Sequence, residues 1–181
     1  MTNSSTLKSS FRDPSGFLFM QEGKLYRQVN RCYQHDYDLL MESGLYDRLV
    51  KDNMIIQHQE VEIPPAVPHL AYRILLPVRV AFISYPYEWS FSQLKDAAVL
   101  TLSIQKTALE YGLTLKDASN YNIQFHHGKP VLIDSLSFEA YQEGQPWVAY
   151  RQFCQPVPGL GLVRSSTRGS RFGSFSFLMA R

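Results

Sequence analysis

Leu115-Lys-Asp117-Ala-Ser-Asn-Tyr-Asn122-Ile-Gln-Phe125-His-His-Gly-Lys-Pro-Val131-Leu-Ile-Asp134 is the stretch on which the fold of this chain turns. An Asp is followed five residues later by an Asn, then by two short apolar runs around a turn, then by a second Asp. Residues 123–125 and 131–133 read as the strands of a hairpin, and Gly128 supplies the permissive backbone angles of its turn. Strands of three to five residues span about 10–17 Å, so the returning strand delivers Asp134 close to Asn122. This polar skeleton suits phosphoryl transfer. That reaction needs a carboxylate to orient an attacking hydroxyl and oxygen ligands to hold magnesium against phosphates. The bland alternative is a turn Asp, a turn Asn and a strand-end Asp in an ordinary hairpin, because motifs this short recur by chance.

Working outward, Ser90 reads as a helix N-cap with Gln93 completing a capping box. Leu94, Ala97, Ala98, Thr101/Leu102, Ile104, Ala108 and Leu109 then form a helical stripe closed by Gly112. A helix of about 20 residues thus runs directly into the Asp117 loop. Before it, residues 78–84 (Val-Arg-Val-Ala-Phe-Ile-Ser) read as a strand, and Tyr85-Pro-Tyr-Glu-Trp89 as a proline-marked connection. Nearer the start, Gly16-Phe-Leu-Phe-Met20 and Lys24-Leu-Tyr-Arg-Gln-Val29 flank the turn signal Gln21-Glu22-Gly23 and predict a hairpin. Residues 36–44 and 45–51 predict one or two short helices whose Leu39, Leu40, Leu45, Leu49 and Val50 face a core. Between these helices and the later strand lies Glu62-Ile-Pro-Pro-Ala-Val-Pro-His69, whose prolines disfavour helix and predict a rigid extended connector.

Residues 115–134 resemble the catalytic and metal-binding loops of the protein-kinase-like superfamily, which includes small-molecule phosphotransferases. The resemblance implies an α+β, protein-kinase-like fold, with a small N-terminal β-rich lobe and an incomplete helical C-lobe. It implies Asp117 as catalytic base and Asn122 and Asp134 as magnesium ligands. It places the hairpin of residues 16–29 over a nucleotide and makes residues 85–89 an interlobe hinge. Lys24 and Arg27 are then the candidates for the basic residue that pairs with the nucleotide phosphates. The departures are specific. Leu115-Lys116 precede Asp117 in place of His-Arg or His-Gly, and Ser135-Leu136 follow Asp134 in place of Phe-Gly. There is no Gly-x-Gly-x-x-Gly, and neither Lys24 nor Arg27 has a Val-Ala-Ile-Lys context. On its own surroundings Arg27 reads as a solvated edge-strand charge, so the site is expected to be degenerate.

A closer resemblance covers residues 16–154. The segments Leu115-Lys-Asp-Ala-Ser-Asn-Tyr-Asn-Ile-Gln-Phe125, Pro130-Val-Leu-Ile-Asp-Ser-Leu-Ser-Phe-Glu139 and Pro146-Trp-Val-Ala-Tyr-Arg-Gln-Phe-Cys154 carry it. They are similar to the N-terminal kinase-like region of bacterial class I S-adenosylmethionine-dependent methyltransferase proteins, nodulation-type relatives among them. In that family the methyltransferase domain follows further along the chain. This sequence has no glycine-rich strand–helix turn with a following acidic residue to cradle adenosylmethionine. It is therefore read as truncated before that domain, and S-adenosylmethionine would enter only through a domain absent from this chain. The resemblance implies a transferase family whose fragment is inactive alone, with ATP and Mg2+ as cofactors where the kinase-like site is competent. The alternatives are an active small-molecule phosphotransferase using Asp117 as base, and a non-catalytic α+β interaction domain.

Composition bounds the remainder. With 181 residues of which 45% are hydrophobic, a single domain with a real core is the expectation. A formal charge of +2 gives no bulk electrostatic case for nucleic acid; the partner is open, with a small molecule or nucleotide as the candidate. No signal-peptide core and no apolar run of membrane-spanning length is present, which predicts a cytoplasmic protein. Cys32 and Cys154 stand far apart, so neither a disulfide scaffold nor a thiolate metal site is predicted. Cys32, His35 and Asp36 read as a polar loop, and His126-His127 as an exposed hairpin tip. Residues 1–10 form a disordered polar tail, 11–89 the N-lobe-like part and 90–154 the partial C-lobe-like part. Residues 155–181 read as an atypical basic Ser/Gly/Arg tail, a divergent or out-of-frame end. Strands buried around Asp134 without further helices are expected to leave apolar surface exposed.

Overall fold

In the computed structural model, which describes Ser5–Thr6 and residues 13–155, the aromatic runs near the start pair as two long antiparallel strands. These are β2 (Gly16–Gln21) and β3 (Lys24–Asn30), preceded by the two-residue β1 (Ser5–Thr6). Glu22 and Gly23 both take positive φ, 51° and 73°, the turn geometry that matches the twist of a two-residue hairpin. The strand β1 lies opposite Met20 and Phe19. Two residues of the expected disordered tail therefore pair with the free edge of β2, whose backbone groups invite a partner.

The sheet is completed by β4 (His58–Glu60) and β5 (Ala71–Pro77), in the order β1-β2-β3-β5-β4 with every pairing antiparallel. The strand expected over residues 78–84 is thus displaced toward the N-terminus. Both stretches are rich in strand-forming residues, but residues 71–77 lie between β3 and β4 and bond to both. Pro77 brings no N–H to the ladder, and beyond it the chain runs irregularly, with Val78 and Phe82 exposed.

Each face of the sheet is covered differently. Phe17, Phe19, Tyr26 and Ile74 form an outer cluster overlain by Val61, Ile63, Ala66 and Val67. The proline-rich connector is therefore a strap across the sheet. Gln28 clamps it by donating from Nε2 to the Val67 carbonyl and accepting from the Val67 amide, both at 3.0 Å. The inner face packs Val29 and Leu75 against Tyr33, Tyr37 and Leu136.

Tyr37 lies on α1 (Gln34–Glu42), which Gly44, at φ 81°, separates from α2 (Leu45–Lys51). Leu40, Leu45 and Leu49 are fully buried, while Leu39 and Val50 are partly so. The capping box of Ser90 and Gln93 opens the long helix α3 (Phe91–Glu110), and Gly112 at φ 76° follows its end. Its buried face runs through Leu94, Ala97, Leu100, Thr101, Ile104 and Ala108. Leu102 and Leu109, expected within that stripe, are exposed together with Phe91 and Val99. Each leucine stands one residue, about 100° of rotation, beyond Thr101 or Ala108. Gln105 is buried instead, where its side chain bonds Thr114 Oγ1 and accepts from the Leu115 amide.

After α3 come β6 (Leu113–Leu115), β7 (Ile123–His126), β8 (Lys129–Leu132), β9 (Phe138–Ala140) and the short α4 (Tyr150–Phe153). The strands β7 and β8 form the expected hairpin, turning at His127 and Gly128, both with positive φ; β6 pairs with β9. A single parallel bridge joins Ile55 to Leu132, flanked by Ile56 N donating to Leu132 O and Leu132 N donating to Met54 O. Leu40, Leu49, Ile104, Leu113, Leu115, Ile123, Leu132 and Phe138 meet in the main core between the helices and these strands. No helix among the described residues is long and apolar enough to cross a membrane. The basic tail beyond Gln155 lies outside the described residues, as do residues 1–4 and 7–10 of the polar start.

Candidate functional site

The Asp117 loop leaves β6 and is shaped by its own polar side chains. Asp117 accepts a 3.0 Å hydrogen bond from the Ser119 amide, and Ser119 Oγ accepts from Tyr121 N. The resulting 3-10 turn Asn120–Asn122 sets Asn122 at the entrance to β7. From there its carbonyl receives the Ile133 amide at 2.8 Å, and its Nδ2 lies 3.4 Å from Ser137 Oγ. Asp134 follows β8 and accepts from Leu136 N at 2.8 Å through Oδ1. Asp117, Asn122 and Asp134 are thus brought together. Burial pushes the Asp117 carboxyl above its ordinary pKa and the charge on Asp134 adds to that rise, opposed by hydrogen bonds from Ser119, Asn122 and Gln152.

Arg27 belongs to the same cluster. Its position overturns the reading as a solvated edge charge, because β3 is an inner strand between β2 and β5. Alternation sends Tyr26 to the strap side and Arg27 inward. Its Nη2 stands 2.8 Å from Asp134 Oδ1 and 3.8 Å from Asp13 Oδ2, with the Arg27 and Asp134 side chains 7% and 9% exposed. The close contact is an ion pair without the alignment of a hydrogen bond. Nε and Nη2 of Arg27 are buried and have no hydrogen-bond partner among the described residues.

A cleft of about 980 Å³ opens over this pair. Its walls include Leu18, Leu25, Ile56, Leu75 and Ile133, and the irregular segment after Pro77 forms its rim. Lys24 lines it from the start of β3 and is exposed. Ser84 on the rim is held to the β7–β8 hairpin by a reciprocal pair of 3.0 Å bonds with the Gln124 side chain. His58 also lines the cleft. Burial, aided by the charge on Arg27, lowers its pKa to about 4, so the ring is neutral at pH 7.

Of the residues named from the sequence, Lys24 and Arg27 line the cleft, Asp134 pairs with Arg27, and Asp117 and Asn122 stand beside Asp134. Sequence reasoning missed Asp13, His58 and Lys116. The Asp13-Pro-Ser-Gly16 turn carried a signal for the first, since Asp13 accepts from the Ser15 amide at 2.8 Å. Lys116, noted only as a departure from a motif, donates to Ser15 Oγ at 3.0 Å and lies 4.0 Å from the centre of the Tyr33 ring. Nothing in the surroundings of His58 marked it. No group of three or more His, Cys, Asp or Glu side chains able to hold a metal occurs among the described residues.

The described residues form a mixed α+β fold. The chain is similar to vaccinia related kinase 3 over 77% of its own length and 49% of that chain, with a TM-score of 0.49 and 11% sequence identity. Among curated proteins it is similar to nodulation protein NoeA of Rhizobium meliloti (strain 1021), 34% identical over 160 residues. The match covers 86% of this chain and 33% of NoeA, so the chain spans about a third of that relative's length. No protein-family profile matches the sequence.

Proposed function

We infer that the chain is a kinase-like ligand-binding module that takes an adenine nucleotide and is not catalytic by itself. The observation that carries this is the cleft, with apolar walls on both sides and a buried guanidinium with unpaired donors at its floor. Ligand sites of about 300–1,000 Å³ with mostly apolar walls and a few placed charges suit a flat ring attached to an anion. The base would lie between Leu18, Leu75 and Ile133, and Arg27 and Lys24 would face the phosphates. Similarity to part of NoeA supports a setting in a longer protein, and the methyltransferase chemistry implied by the sequence resemblance would reside in another region.

Titration with ATP, read by thermal unfolding, tests the reading. Saturation at 100 times Kd stabilises by about 2.7 kcal/mol and should raise the midpoint by about 5–10 °C. Ala81→Trp, at an exposed position on the rim, should keep the parent midpoint and lose the shift. No shift in the parent protein ends the nucleotide reading. A second reading, phosphotransfer with Asp117 as base, is favoured by that carboxyl's raised pKa and its bond from Asn122. It requires ADP release that depends on a hydroxyl acceptor and disappears in Asp117→Asn.

A further inference from the structure

The geometry points to Arg27 as a resident counter-cation of Asp134, standing where a divalent metal would bind, so that the cleft takes nucleotide polyphosphate as the metal-free anion. This rests on the nucleotide reading above and concerns how that ligand's charge is met.

The first support is the occupancy of Asp134. Its Oδ1 is approached by Arg27 Nη2 at 2.8 Å and by the Leu136 amide at 2.8 Å. The residue is 6% exposed. A magnesium ion needs near-octahedral oxygen geometry and keeps several of its waters. At this carboxylate it would have to displace the guanidinium or sit against a full positive charge in a buried setting where charges act strongly. Arginine offers no escape by deprotonation, since its pKa lies above any working pH. Asn122 is no freer. Its Nδ2 donates toward Ser137 Oγ at 3.4 Å and to the Asp117 carboxylate, which fixes the amide and leaves Oδ1 alone to offer a metal.

The second support is the charge of the cleft itself. Lys24, Arg27 and Arg79 line it, His58 is neutral, and no Asp or Glu appears among the described lining residues. Such a surface attracts an anion and repels a free divalent cation. The third is the pair of unpartnered donors. Arg27 is 6% exposed and lines the cleft, and its buried Nε and Nη2 lack hydrogen-bond partners among the described residues. Buried donors left unpaired are destabilising, and a phosphate oxygen accepts from a guanidinium fork in bidentate fashion. A ligand oxygen that reached this fork would supply the missing acceptor and share Nη2 with Asp134.

Calorimetric titration of ATP into the full chain, once in EDTA and once in excess magnesium chloride, tests the inference. Metal-free binding predicts that magnesium leaves Kd within about threefold or weakens it. Arg27→Lys keeps the charge and loses the fork, so it should weaken ATP binding in EDTA by about tenfold or more. Should that variant fail to fold, Lys24→Ala and Arg79→Ala, both exposed, should each weaken binding in EDTA by a few fold. Magnesium that tightens ATP binding to the parent by about tenfold or more overturns the inference and leaves the nucleotide reading standing. Absence of ATP binding in both buffers overturns both.

Discussion

Removing either partner of the Arg27–Asp134 pair should cost far more than removing both. Asp134→Asn keeps the shape and an oxygen for the Leu136 amide but leaves a buried guanidinium whose nearest carboxylate is Asp13, at 3.8 Å and 24% exposed. Breaking a buried pair from one side costs about 3–5 kcal/mol, and the residual attraction of Asp13 places this variant near the lower figure. At 2–4 °C per kcal/mol for a chain of this size, the midpoint should fall by about 6–12 °C. Arg27→Met leaves the carboxylate without its cation and should cost about 4–5 kcal/mol. The double variant replaces the ions by a neutral amide and a flexible apolar chain of similar reach, and its loss should be about 2 kcal/mol or less. Urea unfolding followed by the fluorescence of Trp89 and Trp147 measures all three, since Trp89 is buried and Trp147 donates to the Leu115 carbonyl at 2.7 Å. These losses imply a coupling energy of about 5 kcal/mol or more, beyond the usual range for contacting residues. Additive single losses, with coupling under about 0.5 kcal/mol, would show that Arg27 is solvated and the reasoning wrong.

Other outcomes follow from local geometry. A Cβ on Gly16 would overlap the Gln28 carbonyl oxygen and stand 2.7 Å from Leu136 Cδ1, so Gly16→Ala should destabilise by about 2 kcal/mol in the same urea assay. His58 has a folded pKa of about 4 against an ordinary 6.5, so the unfolded chain binds more protons between those values. Its contribution is therefore complete above pH 6.5 and lost as pH falls toward 4, by about 2–3 kcal/mol. His58→Leu should flatten that part of the stability–pH curve relative to the parent, and parallel curves would exclude a buried neutral imidazole. Ser90→Ala removes the acceptor for Gln93 N and should lower the thermal midpoint by about 2–4 °C, the equivalent of about 1 kcal/mol.

What the sequence made legible was local chemistry. The caps and stop of α3, the turn at Glu22-Gly23 and the β7–β8 hairpin all rest on residues whose backbone preferences act at short range. The convergence of Asp117, Asn122 and Asp134 followed from the same hairpin. The position of β5 was not legible, because residues 71–77 and 78–84 are both rich in strand formers and the choice is made by the partners β3 and β4. The burial of Arg27 was hidden for a related reason. A charge in a strand reads as exposed until the strand order shows β3 enclosed on both sides. Gly16 looked like a strand boundary; its close approach to Gln28 follows from the β2–β3 pairing, and that to Leu136 from a loop more than a hundred residues away.

The backbone stitch between residues 54–56 and Leu132 has a mechanical consequence. It fastens the approach to β4 to the hairpin that carries Asp134, while Tyr33 Oη binds the Phe138 carbonyl at 2.6 Å and Lys116 holds Ser15. Rotation of the sheet away from the hairpin would have to rupture paired amides together with these ties. These ties should hold the width of the aperture above Arg27, whose rim after Pro77 leaves Val78 and Phe82 facing solvent. The sheet and the hairpin should then lose structure in one cooperative step, with amide exchange at Ile56 and Leu132 reporting the same opening energy.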